Sequence, residues 1–167
     1  AQGGIAVVSD FVNDSFEDHV RDTLEAGDGL CDPVVVEHVV QQAPERLREL
    51  IELGADFDRD ERGELTLGRE GGHRANRIIH FKDVTGLNIS TALLKTAASL
   101  SNITILSHHL AIDLITEVVG EKVVCRGAVV LNIESNNLET YRATATVLAT
   151  GGVGQLYRTT TNPVIAT

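Results

Sequence analysis

At 167 residues, with 43% apolar and 23% charged side chains, the chain has the size and composition of one ordinary globular domain around a single core. Its 24 acidic against 14 basic residues give a formal charge of −10, which argues against nucleic acid or an anionic membrane as partner, because either needs clustered cations. No apolar run approaches the ~18 residues of a membrane span, and Cys31 and Cys125 lack CxxC or Cys/His spacing, so two buried reduced thiols, no metal site and a cytoplasmic compartment are expected.

The chain holds no methionine, not even at position 1, and Ala1-Gln2-Gly3-Gly4 has the character of neither a signal peptide nor a translational start. With the abrupt end at Asn162-Pro163-Val164-Ile165-Ala166-Thr167, this predicts an internal piece of a longer polypeptide, although a trimmed mature chain could begin the same way.

Ser15 followed by Asp18 is a capping-box-like start that predicts a helix over 17–26, closed by Gly27. Asp32-Pro33 opens a second helix in the same way, and Val36, Val39, Val40, Ala43, Leu47, Leu50 and Ile51 give it one buried stripe running to Gly54. Pro44 should kink or split it. From 55 to 86 the periodicity disappears and Gly, Arg, Asp and His dominate, the pattern of a functional or poorly ordered loop. A third amphipathic helix is expected over 90–100, with Leu93, Leu94, Ala97 and Leu100 facing inward.

Strand signals then take over: 103–107, followed by 110–116, 123–133 and 139–149, with Gly120-Glu121 and Asn136-Asn137 as turns. The last three read as an antiparallel meander ending in Thr150-Gly151-Gly152. The switch of period near residue 102 predicts an architecture that is α+β in appearance: helices beside one strand, with a three-stranded meander attached.

Chemistry could lie at three places. Gly3-Gly4, flanked by small residues, suits a backbone lying flat against a ring, or a plain turn. Leu148-Ala149-Thr150-Gly151-Gly152 delivers free N–H groups to a phosphate, or simply leaves a strand. Arg69-Glu70-Gly71-Gly72-His73, with Arg77 and His80 close behind, gathers cations and a carboxylate in one loop, or is a solvated polar loop. His108 and His109 alternate along a strand and so face opposite ways, a structural pair. No G-x-G-x-x-G occurs, so any nucleotide site in this stretch is incomplete.

The order of these motifs, joined by His80-Phe81-Lys82-Asp83-Val84-Thr85-Gly86, Leu110-Ala111-Ile112-Asp113-Leu114 and Thr160-Thr161-Asn162-Pro163, resembles the L-aspartate oxidases, within the succinate dehydrogenase and fumarate reductase flavoproteins. The likeness spans essentially all 167 residues. Ala-Gln-Gly-Gly and Ala-Thr-Gly-Gly are shared with the wider family, whereas Arg69–His73 and Thr160–Pro163 look specific to the aspartate oxidases.

The resemblance implies an α/β fold, part of a Rossmann-like FAD-binding domain with the meander attached. It assigns 1–101 as a mainly helical part carrying a substrate loop at 61–86, 102–152 as strand plus meander, and 153–167 as the start of the following loop. It also implies that Gln2, Gly3 and Gly4 run along the isoalloxazine, that Ala111 meets the adenine, that Ala149, Thr150 and Gly151 pack near ribose and pyrophosphate, and that Asn162 lies beside the flavin. Glu70 and Thr85 fall at the substrate, with Glu70 pairing the α-ammonium of L-aspartate. The reaction so implied is hydride transfer from Cα to the flavin, giving iminoaspartate for the quinolinate branch of NAD biosynthesis, with oxygen or fumarate as acceptor.

The family's glycine-rich turn, its capping domain and the arginines and histidines that hold the dicarboxylate are absent from this stretch. Arg74-Ala75-Asn76 also stand where the family has Ser-His-Arg. A fumarate reductase or succinate dehydrogenase flavoprotein is the competing enzyme reading, and a non-catalytic domain that binds a partner is the competing reading of another class.

Overall fold

The computed structural model describes residues 3–161, so Gln2 and Asn162 lie outside the described residues. The chain forms two units, 1–104 and 105–167.

In the first unit, α1 (Phe16–Ala26) starts where the Ser15 hydroxyl accepts from the Asp18 amide at 3.0 Å. Helix α2 (Pro33–Glu52) starts where the Asp32 carboxylate accepts from Val34 N at 2.9 Å. Each cap gives a partner to amides that have none inside the helix. Contrary to expectation, Pro44 does not split α2, which runs unbroken through it. A proline removes one backbone bond, and burial of Val40 and Leu47 on either side holds the adjoining turns to the core.

Residues 55–86, expected to lack elements, contribute two short strands, β2 (Leu67–Gly68) and β3 (Ile78–Ile79). With β1 (Ile5–Ala6) they form an antiparallel sheet in the order β1-β3-β2, Ile5 pairing Ile79 and Gly68 pairing Ile78. Strand β3 is central and wholly buried. Val7, Leu47, Ala55, Phe57, Ile79 and Ala92 close the core over it, each large apolar side chain contributing roughly 1.5–3 kcal/mol by leaving water.

Helix α3 (Thr85–Ser99) begins five residues earlier than its apolar pattern suggested and turns a different face inward. Thr85, Ile89 and Ala92, spaced at four and three, pack inward, and Thr96 Oγ1 donates to Leu53 O at 3.1 Å. Leu93, Leu94 and Leu100, expected inside, are exposed.

The second unit is the expected meander: β4 (His109–Val119), β5 (Lys122–Asn132) and β6 (Asn137–Arg142), antiparallel in that order. Gly120, at φ 62°, makes the tight first turn, as only a residue tolerant of the left-handed region can. One expected strand is not formed, and another stops short. Residues 103–107 have no ladder, and β6 ends at Arg142, so 144–149 lies outside any ladder, with Val147 and Leu148 exposed. The apolar runs are there, but a strand needs a neighbour's N–H and C=O groups, and no described segment supplies them. His108 precedes β4 in a left-handed turn, so the two histidines do not alternate along one strand. Both cysteines are free and half-buried, not fully buried as expected.

Candidate functional site

The polar loop is held by buried charge. Arg77, 0% exposed, donates through Nε and Nη2 to the two oxygens of Asp14 at 2.8 and 2.6 Å, and through Nη1 to Asp22 Oδ2 at 2.7 Å. The side chains of Asp14 and Asp22 are 1% and 2% exposed, so three ionised groups share one dry site. Asp22 also accepts from Arg74 N at 2.9 Å. Burial opposes the charge on Asp22, but the Arg74 amide and the Arg77 guanidinium outweigh it and hold its carboxyl below the usual range. The same carboxylates raise Arg77 further despite its burial.

Beside them His19, 6% exposed, lies edge-on to His73 with ring centroids 5.8 Å apart. Burial, then Arg77 and His73, lower its pKa, and it is held neutral. Helix α1 thus buries His19 and Asp22, one turn apart, and anchors both ends of the 73–77 segment.

Nothing in the sequence reading marked Asp14, His19 or Asp22. The signal available was the pair of polar residues His19 and Asp22 at i and i+3 on one face of α1.

Gly3 and Gly4 approach from the other side. A Cβ at Gly4 would overlap Ile78 Cγ2 and stand 2.5 Å from Ile79 O, so glycine is required there by the β1–β3 crossing itself. A Cβ at Gly3 would lie 3.3 Å from Glu70 Oε1. An open cleft of about 400 Å³ lies here, lined by Gly3, Gly4, Arg69, Glu70, His80 and Lys82 among others. A larger, mainly apolar groove of about 510 Å³, between β1 and α2, is lined by Ile5, Ala43, Leu47 and Leu50 among others, with His38 and Arg46 also on it.

In the cleft wall His80 Nδ1 lies 3.0 Å from Asp58 Oδ2, which also accepts from Lys82 N at 2.7 Å. A carboxylate only accepts, so Nδ1 carries the hydrogen, and in the neutral ring Nε2 carries the lone pair.

The structure therefore brings Gly3, Gly4 and Glu70 together. Thr85 does not line the cleft: it is 2% exposed and its hydroxyl accepts from Phe81 N at 3.0 Å, fixing the turn into α3. In the second unit Ala111 is exposed beside a bulge at Ile112 that interrupts the β4–β5 ladder. Ala149, Thr150 and Gly151 are exposed, Gly151 at φ 77° with open space around it. His109 Nδ1 donates to Ser107 O at 2.6 Å and Nε2 lies 3.6 Å from Glu139, a structural arrangement.

Bare glycine backbone beside a carboxylate fits a flat ring whose edge takes N–H groups, the demand of a flavin. A side chain at Gly3 would reach towards the Glu70 carboxylate in that cleft. The class to which the fold and cleft point is that of flavoprotein FAD-binding domains, and the chain belongs to that family, matching the FAD binding domain over residues 1–167.

Among curated proteins it is 47% identical over 167 residues to the chloroplastic L-aspartate oxidase of Arabidopsis thaliana, covering all of this chain and 26% of that one. It is likewise 47% identical over 173 residues to L-aspartate oxidase 1 of Ralstonia nicotianae, covering 100% of this chain and 32% of that one. Among solved structures, E. coli quinol fumarate reductase FrdA superposes with a TM-score of 0.91 at 33% identity, over 99% of this chain and 28% of that chain. Mycobacterium smegmatis Sdh1 superposes at 0.90 and 32%, over 99% and 29%. The chain thus spans about a quarter to a third of the length of its relatives. Among the described residues no helix is long and apolar enough to cross a membrane.

Proposed function

We propose that this chain is the flavin- and substrate-contacting part of an FAD-dependent L-aspartate oxidase. The observation that carries the reading is the meeting of Gly3 and Glu70 in one cleft, in a chain 47% identical to proteins of that name. Bound FAD would accept a hydride from the substrate Cα, and reoxidation would fall to oxygen or fumarate. The protein's own part is to bind and orient. Gly3 and Gly4 present bare backbone to the ring, Glu70 faces the α-ammonium, and the buried Arg77 network holds the loop that carries Glu70.

Gln2 and Asn162 belong to the flavin contacts in this reading, and Ala111, Ala149, Thr150 and Gly151 to the adenosine and pyrophosphate contacts. Residues 61–86 are the substrate loop, with Thr85 acting through the turn it fixes. The location is the cytoplasm, or the chloroplast printed in the names of the plant relatives.

A fumarate reductase or succinate dehydrogenase flavoprotein is the second reading, favoured by the superposition on FrdA and Sdh1. The two part at Glu70, because succinate and fumarate have no ammonium. In the full-length protein, Glu70→Gln should raise the KM for aspartate about ten- to a hundred-fold, the worth of a charge-assisted hydrogen bond of roughly 1.5–3 kcal/mol. The dissociation constant of succinate should stay within about threefold. Parallel losses for both ligands, or a full-length protein that does not oxidise aspartate, would overturn the reading.

A further inference from the structure

Oxidation of an amino acid by hydride loss needs its nitrogen lone pair free, because the departing Cα–H electrons leave a carbon cation that nitrogen must stabilise. At neutral pH the substrate arrives as an ammonium and must first give up a proton. Arg69 and Lys82 in the cleft carry hydrogens and no lone pair, and Glu70 and Asp83 are carboxylates, which hold a proton poorly near neutrality. His80 differs from all four. Its Nδ1–H is taken up by Asp58 at 3.0 Å, its ring is about one-third exposed, and the ring edge bearing Nε2 passes close to Gly68, which also borders the cleft.

We propose that His80 is the proton acceptor for the substrate amine, with Asp58 as the positioning residue that fixes its tautomer. This rests on the aspartate oxidase reading. In the step, an N–H bond of the α-ammonium breaks and its proton forms a bond to His80 Nε2. The electron pair stays on nitrogen, and the imidazolium that results is stabilised by the Asp58 carboxylate behind it. Hydride loss from Cα then yields the protonated imine, so hydrogen and charge balance with the flavin as the two-electron acceptor. Glu70 keeps its charge throughout and serves to seat the ammonium. His80 faces Asp58 at Nδ1, Lys82 and Asp83 from its own loop, and Arg69 and Glu70 from the segment after β2.

The test uses full-length, FAD-loaded enzyme. Wild type should oxidise aspartate with an acid limb in the pH profile of kcat/KM, the sign of a base that must be free. His80→Gln should lower kcat/KM about 10²–10⁴-fold, the usual worth of a general base, and remove that limb. Succinate binding, read from the flavin absorption spectrum, should be unchanged. His80→Ala should recover activity with added imidazole.

Should these variants fold poorly, Asp58→Asn keeps the shape but loses the charge behind the ring, and its acid limb should move to lower pH. Retention of the limb in His80→Gln, equal losses of succinate affinity and activity, or an unmoved limb in Asp58→Asn overturns the role of His80 while leaving the aspartate oxidase reading in place. A wild-type enzyme that ignores aspartate overturns both.

Discussion

Replacing Arg77 by methionine in the full-length protein should open the loop that carries Glu70. The substitution keeps an unbranched apolar stem, shortens the side chain and removes three hydrogen bonds of 2.6–2.8 Å, leaving the Asp14 and Asp22 carboxylates at 1% and 2% exposure without their cation. Removal of one partner from a buried ion network destabilises by about 3–5 kcal/mol, chiefly through the charge left without a partner. Amide hydrogen exchange suits the measurement, since it reads local opening in a large protein. The Val7 amide, which donates to Arg77 O at 2.9 Å, and the central strand at Ile78 and Ile79 are the reporters.

The pH dependence carries a sign. Asp22 is held below its ordinary value, so in wild type its stabilisation is present above the unfolded value near ~3.9 and is lost as pH falls through the lower folded one. In Arg77→Met the balance reverses: protonated carboxyls need no cation, and the deficit should shrink on acidification. Adding Asp14→Asn and Asp22→Asn to Arg77→Met should recover much of the loss at neutral pH, because the groups couple directly. A loss below about 1 kcal/mol, the range of an exposed pair, or a triple variant no better than the single one, would refute the account of the network as a buried anchor.

Gly4→Ala should weaken the β1–β3 pairing by about 1–3 kcal/mol, as overpacking does, because the new methyl meets Ile78 and the Ile79 carbonyl; protection of the Ile5 and Ile79 amides reports it, and an unchanged rate would contradict the geometry. His19 is held neutral chiefly by burial, so its contribution is present above the unfolded value of ~6.5 and is lost as pH falls through the lower folded value. His19→Gln should therefore flatten the stability profile as pH falls below that unfolded value, and a slope as steep as that of wild type would show that His19 is not the group responsible.

Elements with their own caps were legible. Ser15 and Asp32 announce α1 and α2 through side chains that act within three residues, and Gly120 announces the first turn of the meander. What failed was whatever depends on a distant partner. The stretch 144–149 carries a strand's apolar pattern and lacks a neighbour, whereas Leu67–Gly68 and Ile78–Ile79 are too short for any pattern and become strands because Ile78–Ile79 pairs with β1 on one side and with Leu67–Gly68 on the other. The inward face of α3 was misassigned because leucines outrank Thr85 and Ala92 in hydrophobicity, though the small residues are the ones that allow close packing. In the cleft, Glu70 was legible from a loop motif and its meeting with Gly3 was not, since 67 positions of sequence separate them. Asp58 was wholly silent.

The glycine pair shows why a motif and its function can come apart. Gly4 is demanded by the sheet: the crossing strand leaves no room for a methyl, whatever binds nearby. Gly3 has no such backbone constraint, its nearest neighbour being the far end of a flexible carboxylate side chain that could move aside. Packing therefore explains one glycine and leaves the other to the cleft. The segment that follows Glu70 is in turn anchored by Arg77, seven residues on, whose charge is spent on Asp14 and Asp22 and is not offered to the cleft. A cation so fully paired cannot also hold a dicarboxylate. In the aspartate oxidase reading the substrate's carboxylates must be met by other cations, and within this chain Arg69 and Lys82 are the ones that line the cleft beside Glu70 and His80.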